Sequence, residues 1–238
     1  MEFEIFSKEL EIKAKQIEIE LTKEQIEKYY NYMNLLLEWN EKINLTAIID
    51  PKEIILKHFV DSLTIAKYVK DDEKLIDVGT GAGFPGIPLA IVKENTDIVL
   101  LDSLNKRINF LQEVKENLKL ENITTIHGRA EEFGKNKKER ETYNIATSRA
   151  VAPLNILLEY LIPLVKVGGK AICMKGSNIE EMENAKNALE ILGGKIEKIE
   201  EITLPNSDIK RNIIIVKKVK NTPSKYPRKP GTPSKEPI

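Results

Sequence analysis

Asp77, Gly79, Gly81, Gly83 and Asp102 are the residues whose types and spacing could do chemistry in this chain. The segment Lys74-Leu75-Ile76-Asp77-Val78-Gly79-Thr80-Gly81-Ala82-Gly83-Phe84-Pro85-Gly86 reads as a buried strand, a glycine-rich turn and the start of a helix. A second apolar run, Ile98-Val99-Leu100-Leu101, ends on Asp102, 23 residues beyond Gly79. Glycine lets a backbone turn tightly and approach a ligand with no Cβ in the way. A carboxylate after the second strand can accept hydrogen bonds from both hydroxyls of a ribose. The pattern predicts a nucleotide pocket on an α/β scaffold.

Two cofactors suit such a pocket. Gly81, Gly83 and Gly86 satisfy the Gly-x-Gly-x-x-Gly spacing of a dinucleotide site, with Asp102 21 residues on. Pro85 and Pro88 flank that third glycine and constrain its helix start. Asp77 extends the pattern to Asp-x-Gly-x-Gly-x-Gly, which resembles the first motif of S-adenosyl-L-methionine-dependent methyltransferases. That donor carries an ammonium and a sulfonium rather than a phosphate, and carboxylates near the turn suit those cations. The acidic lead-in favours the methyl donor. An NAD(P)-dependent oxidoreductase built on Gly81-Gly83-Gly86 is the alternative.

The elements that must position these residues follow from periodicity. Residues 22–39 have helical spacing with Thr22 as cap, and a second helix starts near Pro51 with Asp50 as cap. Residues 1–70 thus form a helical extension, rich in aromatics, that packs on the sheet. From Lys74, strands (74–78, 97–102, 122–127, 143–147, 170–174) alternate with helices (about 85–94, 104–119, 153–165, 179–191), with Ser103 capping the second of these helices. Gly168-Gly169 is read as the turn into strand five. Strands 195–204 and 211–219 are joined by Leu204-Pro205-Asn206-Ser207-Asp208, too short for a helical crossover, so they pair antiparallel. The expected fold class is α/β: a Rossmann-like methyltransferase fold with a mostly parallel seven-stranded sheet and a C-terminal antiparallel hairpin. The expected parts are the extension 1–70, a methyltransferase domain 71–220 and a basic, proline-rich tail 221–238.

Hydrophobic residues make up 41% and charged residues 31%, the balance of a soluble globular chain. No apolar run approaches the roughly 20 residues that span a bilayer, and Met1-Glu2-Phe3-Glu4 does not open a signal peptide. One cysteine, Cys173, excludes an internal disulfide, so a cytoplasmic protein is expected. The formal net charge of zero hides an asymmetry: residues 217–238 carry seven basic residues against one acid, Glu236. This is the footprint of a locally contacted anionic partner, or of a solvated tail that aids solubility. Five of the eleven prolines fall in the tail. They predict an extended arm, with Tyr226 as a stacking face for a base.

The whole chain resembles one family: the bacterial 16S ribosomal RNA (guanine-N7) methyltransferase G family, also called the glucose-inhibited division protein B family. The matching segments are Asn44-Leu45-Thr46-Ala47, His58-Phe59-Val60-Asp61-Ser62-Leu63, Asp77 through Pro88, and Leu101-Asp102-Ser103-Leu104-Asn105-Lys106-Arg107. Gly128-Arg129-Ala130-Glu131, Thr147-Ser148-Arg149-Ala150-Val151-Ala152 and Lys225-Tyr226-Pro227-Arg228-Lys229-Pro230-Gly231 continue the match. The resemblance implies that Gly79 and Phe84 line the donor pocket and that Asp102 takes the ribose. Ala130 and Glu131 would flank the adenine, and Arg149 would stand at the pocket mouth as the one catalytic candidate. It implies 16S ribosomal RNA, or a small-subunit precursor, as partner. A monomer that uses neither metal nor membrane is expected. The family usually has aspartate where this chain has Asn144.

Guanine N7 is an in-plane lone pair that needs no proton removed before attack. A positioning mechanism therefore fits a chain with only His58 and His127 and no Ser–His–acid arrangement. Cys173 lies mid-strand and reads as core rather than nucleophile. Asp77 is open between capping the turn and meeting the donor's amino group. Glu131 could simply favour a helix start, and Lys175 could meet RNA phosphate or only solvent. A non-catalytic RNA-binding module is the third functional reading.

Overall fold

The computed structural model describes residues 1–149, 151–176 and 181–238. Its apolar runs form a seven-stranded sheet in the order β3-β2-β1-β4-β5-β7-β6. β1 (Lys74–Val78) lies between β2 (Asp97–Asp102) and β4 (Tyr143–Arg149), parallel to both. β3 (Ile123–His127) extends the sheet beyond β2, and β5 (Val165–Lys175) extends it beyond β4. β7 (Lys210–Lys218) pairs antiparallel with β5, and β6 (Gly194–Thr203) pairs antiparallel with β7. The chain reverses its direction of travel across the sheet between β1 and β4. Ligands of open α/β sheets bind at the strand carboxyl ends beside such a reversal.

Strand alternation sorts side chains to two faces. Leu75, Leu100, Ile172 and Ile215 face one core together with Phe6, Tyr29, Tyr32, Phe59, Phe84 and Phe110. Ile76, Leu101, Cys173 and Val216 face the other with Leu157, Leu161 and Tyr226. The first core is roofed by α1 (Phe3–Gln16), α2 (Lys23–Asn40), α5 (Gly86–Val92) and α6 (Asn105–Leu118). Burying each large apolar side chain contributes about 1.5–3 kcal/mol, so this roof is firmly held. Thr22 caps α2 through a reciprocal box with Gln25. Asp50 caps α3 (Pro51–Ile54) by accepting from Glu53 N. A wide π turn, Ile55–Val60, then leads into α4 (Asp61–Leu63).

Three expectations are corrected, and one helix is added within the expected extension. α1, which was not anticipated, buries Phe6, Leu10 and Ala14 at four-residue spacing. β5 starts at Val165 and runs through Gly168-Gly169. Gly168 has φ +87°, and a Cβ on Gly169 would lie 2.6 Å from Asn144 O, so the pair lets β4 pass closely instead of ending the strand. Ser103 does not cap α6; Asp102 Oδ1 accepts from Leu104 N just before it. The helix after β4 stops at Leu161 (α8, Leu154–Leu161), where one 3₁₀ turn, Ile162–Leu164, delivers the chain to β5. The expected start of the polar helix at 179 lies outside the described residues, which show α9 (Glu181–Asn184) and α10 (Lys186–Leu192).

Candidate functional site

Two buried carboxylates frame the glycine turn. Asp77 Oδ2 accepts from Thr80 Oγ1 at 2.7 Å and from Gly86 N at 2.9 Å. Asp102 Oδ2 accepts from Gly81 N at 2.9 Å and from Arg107 Nη1 at 3.3 Å. Leu101 O accepts from both Gly79 N and Thr80 N, fixing the turn to the end of β2. Burial pushes the Asp77 carboxyl up to about 6, and its Oδ1 has no hydrogen-bond partner. Asp77 thus caps the turn with one oxygen and keeps the other free.

The glycines divide by what surrounds them. A Cβ on Gly83 would meet Ile87 at 2.6 Å and Tyr32 Oη at 2.7 Å, and one on Gly86 would meet Leu100 at 2.2 Å. Those two glycines serve helix and roof packing. Gly81, with φ +63°, has nothing within 4 Å of where its Cβ would lie. The open cradle is therefore at Gly81, whose N–H is held by Asp102. Gly79 is covered by Val151, whose Cγ2 lies 2.8 Å from its notional Cβ.

Arg149 is mostly buried, its side chain 15% exposed. It ends β4 and turns back into the roof, where Nη1 donates to Lys57 O at 2.8 Å and to Asp61 Oδ2 at 3.1 Å. Its Nη2 donates to His58 Nδ1 at 3.1 Å. A guanidinium can only donate, so Nδ1 is the acceptor and the ring proton sits on Nε2, facing Thr46 Oγ1 at 2.9 Å. Burial, with the adjacent guanidinium, lowers His58 to about 3 and keeps it neutral. Phe84 packs between these groups, stacked on His58 at 4.4 Å and under the Arg149 guanidinium at 5.0 Å. Arg211 reaches the same Asp61, its Nε 3.2 Å from Oδ1. The sequence reading had quoted His58 and Asp61 without a role and had passed over Arg211. The available signal was the three-residue spacing of His58 and Asp61, which sets both on one helical face. Ala150, next to Arg149, lies outside the described residues.

Ala130 and Glu131 open α7 (Ala130–Phe133), just after β3. Glu131 is buried, and its Oε1 accepts from Gly231 N at 3.0 Å. The tail is therefore docked, which corrects the extended arm. Arg228 clamps the fully buried Glu159 with Nε at 3.0 Å and Nη2 at 2.6 Å, and its backbone N adds a third bond at 2.7 Å. Arg140 donates to the carbonyls of Thr222 and Tyr226. Tyr226 is only 6% exposed and offers no stacking face. A short helix, α11 (Thr232–Lys235), follows.

The remaining candidates have structural partners. Asn144 Oδ1 accepts from Lys74 N at the head of β4, far along the strand from Asp77. Lys175 is bound to Ala152 O and Glu181 rather than solvated. Cys173 is buried, and burial pushes its thiol up to about 12. A cavity of about 620 Å³ lined by Gln16, Glu18, Lys67, Lys93 and Thr203 touches none of Asp77, Asp102 or Arg149. Among the described residues no cluster of His, Cys, Asp and Glu could hold a metal, and no helix is long and apolar enough to cross a membrane.

The family profile described as rRNA small subunit methyltransferase G matches residues 25–214. The chain belongs to that family. Ribosomal RNA small subunit methyltransferase G of Acetivibrio thermocellus is 57% identical, covering 97% of this chain and 99% of that protein. The methyltransferase G proteins of Alkaliphilus metalliredigens and Clostridium novyi are 51% and 48% identical, over 94% and 98% of this chain and 95% and 98% of theirs. Solved structures support the fold. A SAM-dependent methyltransferase from Aquifex aeolicus aligns with TM-score 0.53 at 18% identity, over 76% of this chain and 97% of that one. TYW2 of M. jannaschii in complex with AdoMet aligns with TM-score 0.52 at 16% identity, over 66% and 72%. This chain thus has the expected Rossmann-like methyltransferase sheet with its antiparallel hairpin.

Proposed function

We propose that this protein transfers a methyl group from S-adenosyl-L-methionine to N7 of one guanine in 16S ribosomal RNA. The observation that carries this is the match to methyltransferase G proteins over nearly the whole chain. The donor suits the residues present. Gly81 leaves an open cradle, Asp77 in the strand before the turn has a buried unpartnered Oδ1, and Asp102 ends β2, a position from which a carboxylate can meet a ribose. When bound, the donor supplies an electrophilic methyl on a sulfonium.

In this reading Gly81 admits the donor, Gly79 lines the pocket once Val151 gives way, Asp77 faces its ammonium, and Asp102 exchanges the Gly81 N–H bond for ribose hydroxyls. Ala130 and Glu131 form the adenine side. Phe84 and Arg149 act from behind: Arg149 holds the His58–Phe84 stack in place as a positioning residue. Guanine N7 needs no base, and neither His58, neutral with both nitrogens engaged, nor Cys173, a buried thiol, is called on as one. Rate enhancement then comes mainly from alignment of the reacting atoms. Residues 71–220 carry the donor frame, 1–70 roof it, and 221–238 strap its α7 side. A cytoplasmic monomer acting on RNA or a small-subunit precursor completes the proposal.

The test is radiolabelled methyl transfer to small-subunit RNA from cells lacking the activity, with the modified nucleotide mapped. Label at a guanine N7 is expected, and no incorporation into any RNA would overturn the proposal. The packing of Gly83 against Ile87 and Tyr32, where a pyrophosphate would need open backbone, weighs against a dinucleotide. Calorimetry that found tight binding of a nicotinamide dinucleotide alone would reverse that.

A further inference from the structure

We infer that the docked tail and residues 129–138 form one fixed cationic surface on which the RNA phosphate backbone lies, alongside the donor frame. This rests on the reading that the substrate is RNA. The two segments interleave. Lys135 Nζ donates to the carbonyls of Ser224 and Lys225 at 2.9 and 3.1 Å. Pro227 lies against Gly134, 2.9 Å from where its Cβ would be. Gly231 N bonds Glu131, and Tyr160 Oη, on α8, bonds Ser234 Oγ at 3.1 Å.

This docking sorts the charges. Arg140 and Arg228 are consumed as anchors, and Glu131 and Glu159 are buried in answering them or the tail backbone. What stays exposed is Arg129, Lys135, Lys137 and Lys138 from one segment and Lys225, Lys229 and Lys235 from the other. Only Glu132 and Glu236 oppose them at the surface of the two segments. The cations are held on a folded platform, so ordering them on binding costs less than it would in a free arm. The surface also adjoins the donor frame directly: Gly128 N, at the entry to α7, donates to Asp102 O at 3.0 Å. An RNA strand on this surface would run past the place where a guanine must enter. Fixed cations facing phosphate release counterions and make affinity strongly salt-dependent.

The experiment compares full-length wild type with Lys225→Gln/Lys229→Gln/Lys235→Gln and with Lys137→Gln/Lys138→Gln. A third variant, Lys8→Gln/Lys15→Gln/Lys23→Gln, removes three exposed cations from the outer side of the roof. Affinity for a 16S RNA transcript is measured against salt concentration, and donor affinity by calorimetry. The tail variant should flatten the slope of log affinity on log salt by about 2 and weaken binding on the order of tenfold, with donor affinity unchanged. The pair at 137 and 138 should flatten it by about 1, and the roof variant should leave it alone. A wild-type slope in both surface variants, with RNA still methylated, would overturn this surface and leave the proposed function standing. So would a roof variant that flattens the slope as much as the tail variant. Wild type that neither binds nor methylates RNA would instead bring down the functional reading itself.

Discussion

The roof and the tail both close on the catalytic sheet, but by opposite means. The roof joins through rings: Tyr32 contacts Phe59, Phe84 and Phe110 at centroid distances of 5.5, 5.4 and 6.4 Å, and Tyr29 meets Phe59 at 5.1 Å. Polar ties reinforce the rings: Tyr29 Oη donates to Pro88 O and Gln25 Nε2 to Ile91 O, and from the sheet Arg149 and Arg211 reach Asp61. The tail joins through directed polar bonds, with Arg228 on Glu159, Arg140 on carbonyls and Gly231 on Glu131. Apolar burial is non-directional and spread over many side chains, so it tolerates reshaping. A buried ion pair is concentrated in two residues, and losing one leaves an unpaired buried charge.

The largest expected effect breaks the tail. Arg228→Ala strands the fully buried Glu159 and should cost about 3–5 kcal/mol in denaturant unfolding, with protease cutting first within 221–238. A loss below about 1 kcal/mol would mean the tail is held mainly by its apolar contacts.

Acidity probes the other side. Burial places Asp77 at about 6, above its ordinary 3.8. Between those values the folded state holds the proton more tightly, so this group adds stability as pH falls from about 6 toward 4. Ionised at neutral pH, Asp77 costs on the order of 3 kcal/mol. His58 acts in the opposite sense: held at about 3 against an ordinary 6.5, it lets the unfolded chain take up the proton first. Its contribution is complete above pH 6.5 and is lost as pH falls below that. Asp77→Asn should therefore lose stability more steeply than wild type between pH 6 and 4. Parallel melting curves for the two proteins across that window would contradict the assignment.

Conservative exchanges sharpen the contrast. Arg228→Lys loses the forked contact and should cost about 1–3 kcal/mol. Phe59→Leu, in the middle of the ring cluster, should cost about 1.5 kcal/mol or less because neighbours repack. If Phe59→Leu is the worse of the two, the comparison is reversed. The smallest effect on global melting is that of Gly231→Ala, where φ of +82° strains any side chain by about 1–2 kcal/mol, a strain the end of the tail relieves by loosening from Glu131. Global melting should barely move while donor affinity falls several-fold through the loosened Glu131. Unchanged donor affinity would remove the tail from the adenine side.

The difference between roof and tail also explains what was legible in the sequence. The limits of β1 and β2 were read to the residue, and the hairpin was read from the short Leu204–Asp208 connection. Period-two burial and loop length are local signals. The docked tail left none: its partners Glu131, Arg140 and Glu159 lie 69 to 100 residues earlier, and a lysine- and proline-rich composition is also that of a free chain. Arg149 was placed correctly at the end of β4 but turned toward Lys57, His58 and Asp61, about ninety positions away. β5 was cut short because paired glycines commonly end a strand; here they serve a close passage of β4 that only the assembled sheet reveals.

The bond between Glu131 and Gly231 spans 100 residues of chain. During translation α7 emerges and can fold long before the segment that secures it exists. A half-made copy of this enzyme, still tethered to a ribosome, lacks that brace. The bond that braces α7 thus forms only after synthesis has passed residue 231, so the order of synthesis sets the order in which this corner of the fold closes.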